Sequence, residues 1–168
     1  MVLPLKVNIF VLRLFLNRLA TKDNMCRRCV LEETQVPCSA LCRGMEDMDH
    51  LFFKCDYYGR LWLSILDWLG ITIVSQGDVI SHSTHFGGLG GFSRNSRTMF
   101  TIIWISVLFI IWKDLNMRIF NNQTDQLEVL AEKVKLQTYW WFKPHCIMFD
   151  FDYHSWRRQP LCCLQAVV

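Results

Sequence analysis

The sequence predicts an all-α protein, in which a small module containing cysteine and histidine lies among short helices. A long apolar helix and an amphipathic helix are expected to follow this module. The first observation behind this prediction is that apolar residues recur at helical spacing in several segments. The second is that glycine, proline or asparagine stands where these segments should end. Because 52% of the 168 residues are hydrophobic, the chain has enough apolar surface to form a core.

The first 70 residues are expected to form one domain of short helices. Residues 5–19 predict a helix that starts after Pro4, a residue suited to helix starts. Thr21 is expected to cap a second short helix that ends near Arg28. Residues 35–45 predict a tight loop, and further helices are expected over 46–53 and 57–69. Gly70 is placed to end the last of them.

The remaining residues predict a linker, a helical extension and a tail. Residues 71–93, rich in serine, histidine and glycine, predict a flexible linker. A helical extension is expected over 94–143, with a first helix at 96–120 and a break at Asn121 and Asn122. Either Asn122 or Thr124 should cap the second helix, and Pro144 should stop it. The apolar stripe of that helix consists of Leu127, Leu130, Ala131, Val134 and Trp141. Residues 144–168 are expected to form a weakly patterned tail.

The most apolar segment, residues 99–112, is interpreted as a buried central helix of a soluble core. Its 14 uncharged residues would span roughly 21 Å as a helix, which is short of the roughly 30 Å hydrocarbon core of a membrane. A membrane span is the less favoured alternative. Near the N-terminus the uncharged stretch 7–12 is shorter than a secretory signal requires. We therefore expect an intracellular protein, nuclear or cytoplasmic and not secreted, with reduced cysteines.

The spacing Cys38-x3-Cys42-x7-His50-x4-Cys55 predicts a metal site. Zinc prefers four thiolate or imidazole ligands in a tetrahedron, and four protein ligands make a closed, structural site. An alternative ligand set is Cys26, Cys29, Cys38 and Cys42, although a helix through Cys26 and Cys29 would splay the two thiols. A second alternative is that these cysteines are buried hydrophobic residues. The preferred prediction is one structural Zn2+ in a zinc-knuckle module.

Basic residues are concentrated before this spacing, and acidic residues within it. Residues 1–30 hold six basic residues against one aspartate, whereas residues 31–50 carry a net charge of −4. Such a basic surface could make weak, salt-dependent contacts with phosphates, or could be an ordinary solvated helix face. The candidate nucleic-acid-binding residues are Lys6, Arg13, Arg18, Lys22, Arg27 and Arg28. Four aromatic residues could stack on bases or pack around the metal: Phe52, Phe53, Tyr57 and Tyr58.

The sequence resembles the zinc-binding domain that follows the reverse transcriptase of plant non-LTR (LINE-type) retrotransposons. The resemblance runs from Pro4 to about Trp68. It consists of Pro4-x-Lys6, Phe10-x-x-Arg13, Asn17-Arg18-Leu19-x-Thr21, Cys38, Cys42, Glu46, His50-Leu51-Phe52, Cys55 and Trp62. Leu12 and Met25 stand where the family usually has tryptophan and leucine. The resemblance implies that Cys38, Cys42, His50 and Cys55 are the zinc ligands.

The resemblance also implies an origin in an RNA-directed DNA polymerase polyprotein, of which this chain would be a fragment without the polymerase domain. No catalytic residue is predicted, because the chain has no adjacent pair of aspartates for the two Mg2+ ions of polymerisation. We expect a non-enzymatic module that contacts single-stranded or hybrid RNA/DNA and the reverse transcriptase core, and we do not expect membrane binding. The alternatives are a protein-interaction module and a retroelement remnant without function.

Overall fold

In the computed structural model, the described residues are 3–32, 37–40, 42, 44–73, 77–91, 93–144 and 149–166, and this part of the chain contains helices and loops but no strand. An all-α fold is therefore confirmed. A single π-helical turn, His50–Lys54, lies between the second and third helices. The helices are α1 (Leu5–Phe15), α2 (Lys22–Arg27), α3 (Asp56–Leu69), α4 (Val79–Gly88), α5 (Arg94–Asn121), α6 (Leu127–Phe142), α7 (Tyr153–Arg158) and α8 (Pro160–Gln165).

Helix α1 ends earlier than the sequence predicts, because the chain turns at Asn17. The φ angle of Asn17 is 50°, in the left-handed region that asparagine tolerates better than most residues. The side-chain amide of Asn24 donates hydrogen bonds to the carbonyl oxygens of Asn17 and Leu19, at 3.2 and 3.0 Å, and so holds the turn. Helix α2 begins as predicted, since the Thr21 hydroxyl accepts a hydrogen bond from the Asn24 N–H.

Helix α3 confirms the predicted helix and its glycine end. Gly70 has a φ of 64°, a conformation that costs a glycine little. Leu61, Ile65 and Leu69 are fully buried on the inner face of the helix. Because α3 follows the π-helical turn directly, its position in the core also fixes the position of that turn.

Helix α5 is the central helix of the fold, and it packs against α1, α4 and α6. It is long and apolar enough to cross a membrane by length and composition, but 78% of its most apolar window is buried within the protein. This burial agrees with the interpretation of residues 99–112 as a core helix. Phe109 of α5 meets Phe10 of α1 edge to face, with ring centroids 5.4 Å apart. Asn122, with a φ of 56°, ends α5 at the predicted break.

The structure differs from the sequence prediction in residues 71–93, where helix α4 occupies much of the expected flexible linker. Asp78 caps α4 by accepting a hydrogen bond from the N–H of Ser81 at 2.9 Å. Val79, His82 and Phe86 lie on one face of α4 and are buried. Gly90 has a packing role, because a Cβ there would lie 2.4 Å from the backbone nitrogen of Arg97. Positions 74–76 and 92 of this segment lie outside the described residues.

The C-terminal segments also differ from their predictions. Helix α6 begins after Gln126, so neither Asn122 nor Thr124 caps it. The expected tail includes α7 and α8, and its Trp156 is fully buried against Phe142 and Phe149. Burial of this aromatic residue explains why a segment without clear helical periodicity is helical. Residues 145–148, which include Cys146, lie outside the described residues.

Candidate metal centre

The first two predicted ligands lie at a short hairpin-like loop. Pro37 and Met45 form an isolated antiparallel bridge, and the N–H of Cys38 donates to the carbonyl of Gly44 at 3.0 Å. These contacts bring the two ends of the loop together, so that Cys38 and Cys42 can face the same point. The loop is also attached to α2, because the Lys22 ammonium donates to the Pro37 carbonyl at 2.6 Å.

The other two predicted ligands stand at the ends of the π-helical turn. The N–H of Cys55 donates to the carbonyl of His50 at 2.7 Å, which closes the wider ring of a π turn. Leu51 and Phe52, between these two residues, are fully buried. The turn therefore projects His50 and Cys55 toward the loop while its apolar residues anchor it in the core.

The ligand atoms of Cys38, Cys42, His50 and Cys55 all lie within 4.8 Å of one another. Cys38 Sγ is 3.9 Å from Cys55 Sγ, which is 3.6 Å from Cys42 Sγ. Sulfur atoms bound to a tetrahedral zinc at about 2.3 Å would be roughly 3.8 Å apart, so the observed spacings fit that ion. Nε2 of His50 faces the cluster and lies 2.9 Å from Cys42 Sγ. The cluster is therefore compatible with one structural Zn2+.

Gly44 makes room for the histidine. A Cβ at this position would lie 2.0 Å from Cε1 and 2.4 Å from Nδ1 of His50. Because the obstacle is the ring of a candidate ligand, any side chain at position 44 must displace either the loop or the ring. The backbone N–H of His50 also donates to Asp47 Oδ1 at 2.7 Å, which holds the start of the π-helical turn.

The thiols of Cys38 and Cys55 have opposite pKa shifts because they share a hydrogen bond. The bond from Cys38, followed by the backbone N–H groups of Tyr58 and Tyr57, lowers the pKa of Cys55 to about 5 against the opposing effect of burial. The same bond, together with burial, raises the pKa of Cys38. Cys55 is thus poised as a thiolate at the start of α3. A divalent cation between the sulfur atoms would favour the thiolate form of both residues.

Glu46 supports the loop from behind. It is fully buried, and its Oε2 accepts a hydrogen bond from the N–H of Ser39 at 2.8 Å. Its backbone carbonyl accepts from the N–H of Asp23, which joins the loop to α2. Its Oε1 has no hydrogen-bond partner among the described residues. The carboxylate therefore holds the backbone next to Cys38 in place.

The alternative four-cysteine set is not brought together. In the described part of the chain, the one group of three or more potential ligands that converges is the one formed by Cys38, Cys42, His50 and Cys55. Cys26 is half-buried in α2, and Cys29 is exposed, with a φ of 56°.

The six predicted nucleic-acid-binding cations divide into two groups. Four of them, Lys6, Arg13, Arg18 and Arg28, line one groove beside α1 together with Phe109 and Trp112 of α5. Arg27 pairs with Asp23 at 3.0 Å, and Lys22 is bound to the loop. Sequence reasoning missed the two α5 residues, because the apolar pattern around them indicates only burial.

The four aromatic residues near the metal site mostly pack in the core. Phe52 and Tyr58 are fully buried, and Phe53 is 7% exposed. Tyr57 is half-buried, and its hydroxyl donates to the Asp125 carbonyl at 2.6 Å. At least three of the four are therefore unavailable for stacking on bases.

Comparison with known proteins gives one match, over the part of the chain that contains the metal centre. Residues 1–62 match the family model for zinc-binding in reverse transcriptase. This range includes all four converging residues and ends at Trp62, whose indole N–H donates to the Phe52 carbonyl at 2.7 Å. No curated protein and no solved structure matches the chain. The match is to a zinc-binding segment and not to a polymerase domain.

Proposed function

We propose that this chain, whose first 62 residues match the zinc-binding segment of reverse transcriptases, is a structural zinc module that helps hold an RNA or DNA template. Cys38, Cys42, His50 and Cys55 would bind one Zn2+. The observation that carries this proposal is the convergence of these four donors within 4.8 Å. The module itself would have no polymerase activity.

The four-donor set supports a structural role for the metal. Cys38 is 4% exposed and Cys55 is 1% exposed, whereas Cys42 and His50 are half-buried. With four protein ligands, a tetrahedral zinc has no open position for a substrate. The ion would join the loop to the π-helical turn and through it to α3. Metal binding would therefore be coupled to folding of the first domain.

The charge distribution supports a template-binding role. The basic residues lie in α1, in α2 and in the turns that follow them, and one of them, Lys22, contacts the loop that carries Cys38. Phosphate contacts from such a surface produce binding that is independent of sequence and weakens with salt. Reduced thiols are required at the metal site, which agrees with an intracellular location.

The zinc part of the proposal is tested by measuring bound metal in the wild type and in a Cys55→Ser variant. We expect one zinc per wild-type chain, and loss of both the zinc and part of the helical circular dichroism in the variant. Cys162→Ser is the matched control, because Cys162 is exposed and lies in α8. Retention of one tightly bound zinc by Cys55→Ser would contradict the assigned ligand set.

The template part is tested separately, with the zinc-loaded wild type and a single-stranded RNA at about 50 mM salt. We expect binding that weakens as salt is raised. If zinc-loaded protein fails to bind at this salt concentration, the nucleic-acid role is refuted while the zinc site stands.

A second candidate function is docking to a protein such as a reverse transcriptase core. The specific observation in its favour is a set of exposed apolar side chains, which a partner would cover. Leu5 is 74% exposed, Leu12 60%, Phe120 77% and Trp140 61%. Light scattering of the purified chain, with and without a reverse transcriptase core, tests this candidate. A chain that stays monomeric and does not bind the reverse transcriptase core would exclude the docking function.

A further inference from the structure

A groove of about 580 Å³ runs beside α1 and is lined by α1, by the turn that follows it and by α5. Its position matters because α5 lies outside the residues that match the zinc-binding family. The groove therefore joins the zinc module to the helical extension.

Among the described residues, four cations line the groove and no carboxylate does. In the described part of the chain, the side chains of Lys6, Arg13, Arg18 and Arg28 have neither an ion pair nor a hydrogen bond, and all four are exposed. Converging like charges repel one another and create a positive potential that attracts anions. By contrast, Lys22 and Arg27 are already engaged by the Pro37 carbonyl and by Asp23.

The groove also has an aromatic wall. Phe10 and Phe109 are buried beneath it, and Trp112 is half-buried, with its ring centroid 6.4 Å from that of Phe10. The indole N–H of Trp112 has no hydrogen-bond partner among the described residues. Four other tryptophans of the chain do donate this hydrogen bond within the protein: Trp62, Trp68, Trp104 and Trp156.

We infer that this groove is a binding site for single-stranded nucleic acid, with the backbone phosphates against the four cations and a base stacked on Trp112. The inference rests on the proposed template-binding function, and it adds a location and a stacking residue in α5. A nucleotide carries an anion and a flat aromatic ring in one repeating unit, which is the combination that the groove presents. An acidic polypeptide would satisfy the cations but would leave the indole without a base.

The test compares two single-stranded DNA probes of about 12 nucleotides, a length within the range that single binding sites cover. One is fluorescein-labelled oligothymidylate, and the other has the same backbone with abasic residues. Affinities are measured by fluorescence anisotropy on zinc-loaded protein. We expect Trp112→Leu to weaken binding of oligothymidylate about fivefold or more and to leave abasic binding unchanged. Trp112→Phe, which keeps a ring, should restore part of the difference.

The cations are tested with two variants of equal charge change. Arg13→Gln combined with Arg28→Gln should weaken both probes and lower the salt slope by about 1.4. The matched control, Lys22→Gln combined with Arg27→Gln, should change binding much less. Zinc content and circular dichroism establish that each variant is folded.

Two results would overturn the inference while the template-binding function remains. One is an equal loss of affinity in the groove pair and the control pair. The other is a Trp112→Leu variant, shown to be folded, that affects both probes equally or neither. Displacement of labelled oligothymidylate by polyglutamate as effectively as by unlabelled oligothymidylate, at the same charge concentration, would also overturn it and would indicate an acidic protein partner. If the wild type binds neither probe, the proposed function itself fails.

Discussion

Replacement of His82 by phenylalanine should reduce the acid sensitivity of this protein. The ring of His82 stacks on Phe53, with centroids 4.5 Å apart, and lies tilted against Trp62 at 4.7 Å. Its Nδ1 accepts a hydrogen bond from the Trp104 indole at 2.9 Å. Burial lowers the pKa of His82 from 6.5 to about 4, which means that the native state holds the neutral imidazole. Nearby charge comes from His85 and Asp78, whose effects on this pKa oppose each other.

The sign of the effect follows from which state binds the proton. Above pH 6.5 the imidazole is neutral in both the folded and the unfolded chain, and its contribution to stability is fully present. As the pH falls from 6.5 to about 4, the unfolded chain takes up a proton that the folded chain does not, so stability is lost. At 1.36 kcal/mol per pKa unit, the total loss is about 3 kcal/mol.

Urea unfolding at pH 7 and at about pH 4.5 measures this difference. His82→Phe should be less stable than the wild type at pH 7 by about 1–3 kcal/mol, because the buried Trp104 N–H loses its acceptor. It should then lose less stability than the wild type between the two pH values. Loss of the proposed zinc in acid should affect both proteins alike and cancel in the comparison. His154→Gln, at an exposed histidine in α7, is the control and should still show the acid loss that His82 produces. If His82→Phe and the wild type lose the same free energy of unfolding between the two pH values, the assignment of a buried neutral His82 is refuted.

Two further substitutions test the metal loop and the core. Gly44→Ala should lower zinc affinity about tenfold or more, measured by competition with a chromogenic chelator, because the new Cβ collides with the His50 ring. Gly59→Ala, where nothing lies within 4 Å of the added Cβ, should not, and equal affinities in the two variants would contradict the proposed crowding. Asp114→Asn should destabilise the protein by about 3 kcal/mol in urea unfolding, because the guanidinium of Arg118, 2.6 Å from Asp114 Oδ2, would be left in the core without its counter-charge. Asp150→Asn, at an exposed position, should change the free energy of unfolding by no more than about 0.5 kcal/mol. An equally small change in Asp114→Asn would show that the buried ion pair contributes nothing to stability.

Much of the metal site can be predicted from the sequence because its candidate ligands are close along the chain. Cys38 and Cys55 are separated by only 17 positions, so the loop and the turn between them can bring the donors together locally. The role of Gly44 is harder to predict from the sequence, because it depends on the position of the His50 ring. The π-helical turn is also invisible in the pattern, since it differs from an α-helical turn by one residue in its hydrogen bonding.

The linker prediction shows why local composition can mislead. Residues 71–93 look flexible because they contain many glycine, serine and histidine residues. The face of α4 becomes apolar only when His82 is counted as a buried ring, and that burial requires Phe53, Trp62 and Trp104 from other elements. None of these contacts leaves a signal within the segment.

The sequence by itself determined the all-α class, the main helices with their caps at Thr21 and Gly70, and the spacing of the four candidate zinc ligands. These features depend on interactions between residues a few positions apart, or within one short loop. Only the tertiary structure decided that α4 and α7 pack into the core, and that Phe109 and Trp112 line one groove with the cations of α1. Such contacts join residues from different elements, as far apart along the chain as Phe10 and Phe109, and no local pattern encodes which of many apolar faces will meet. The physical reason is that burial is non-directional, so its partners are selected by the packing of the whole chain.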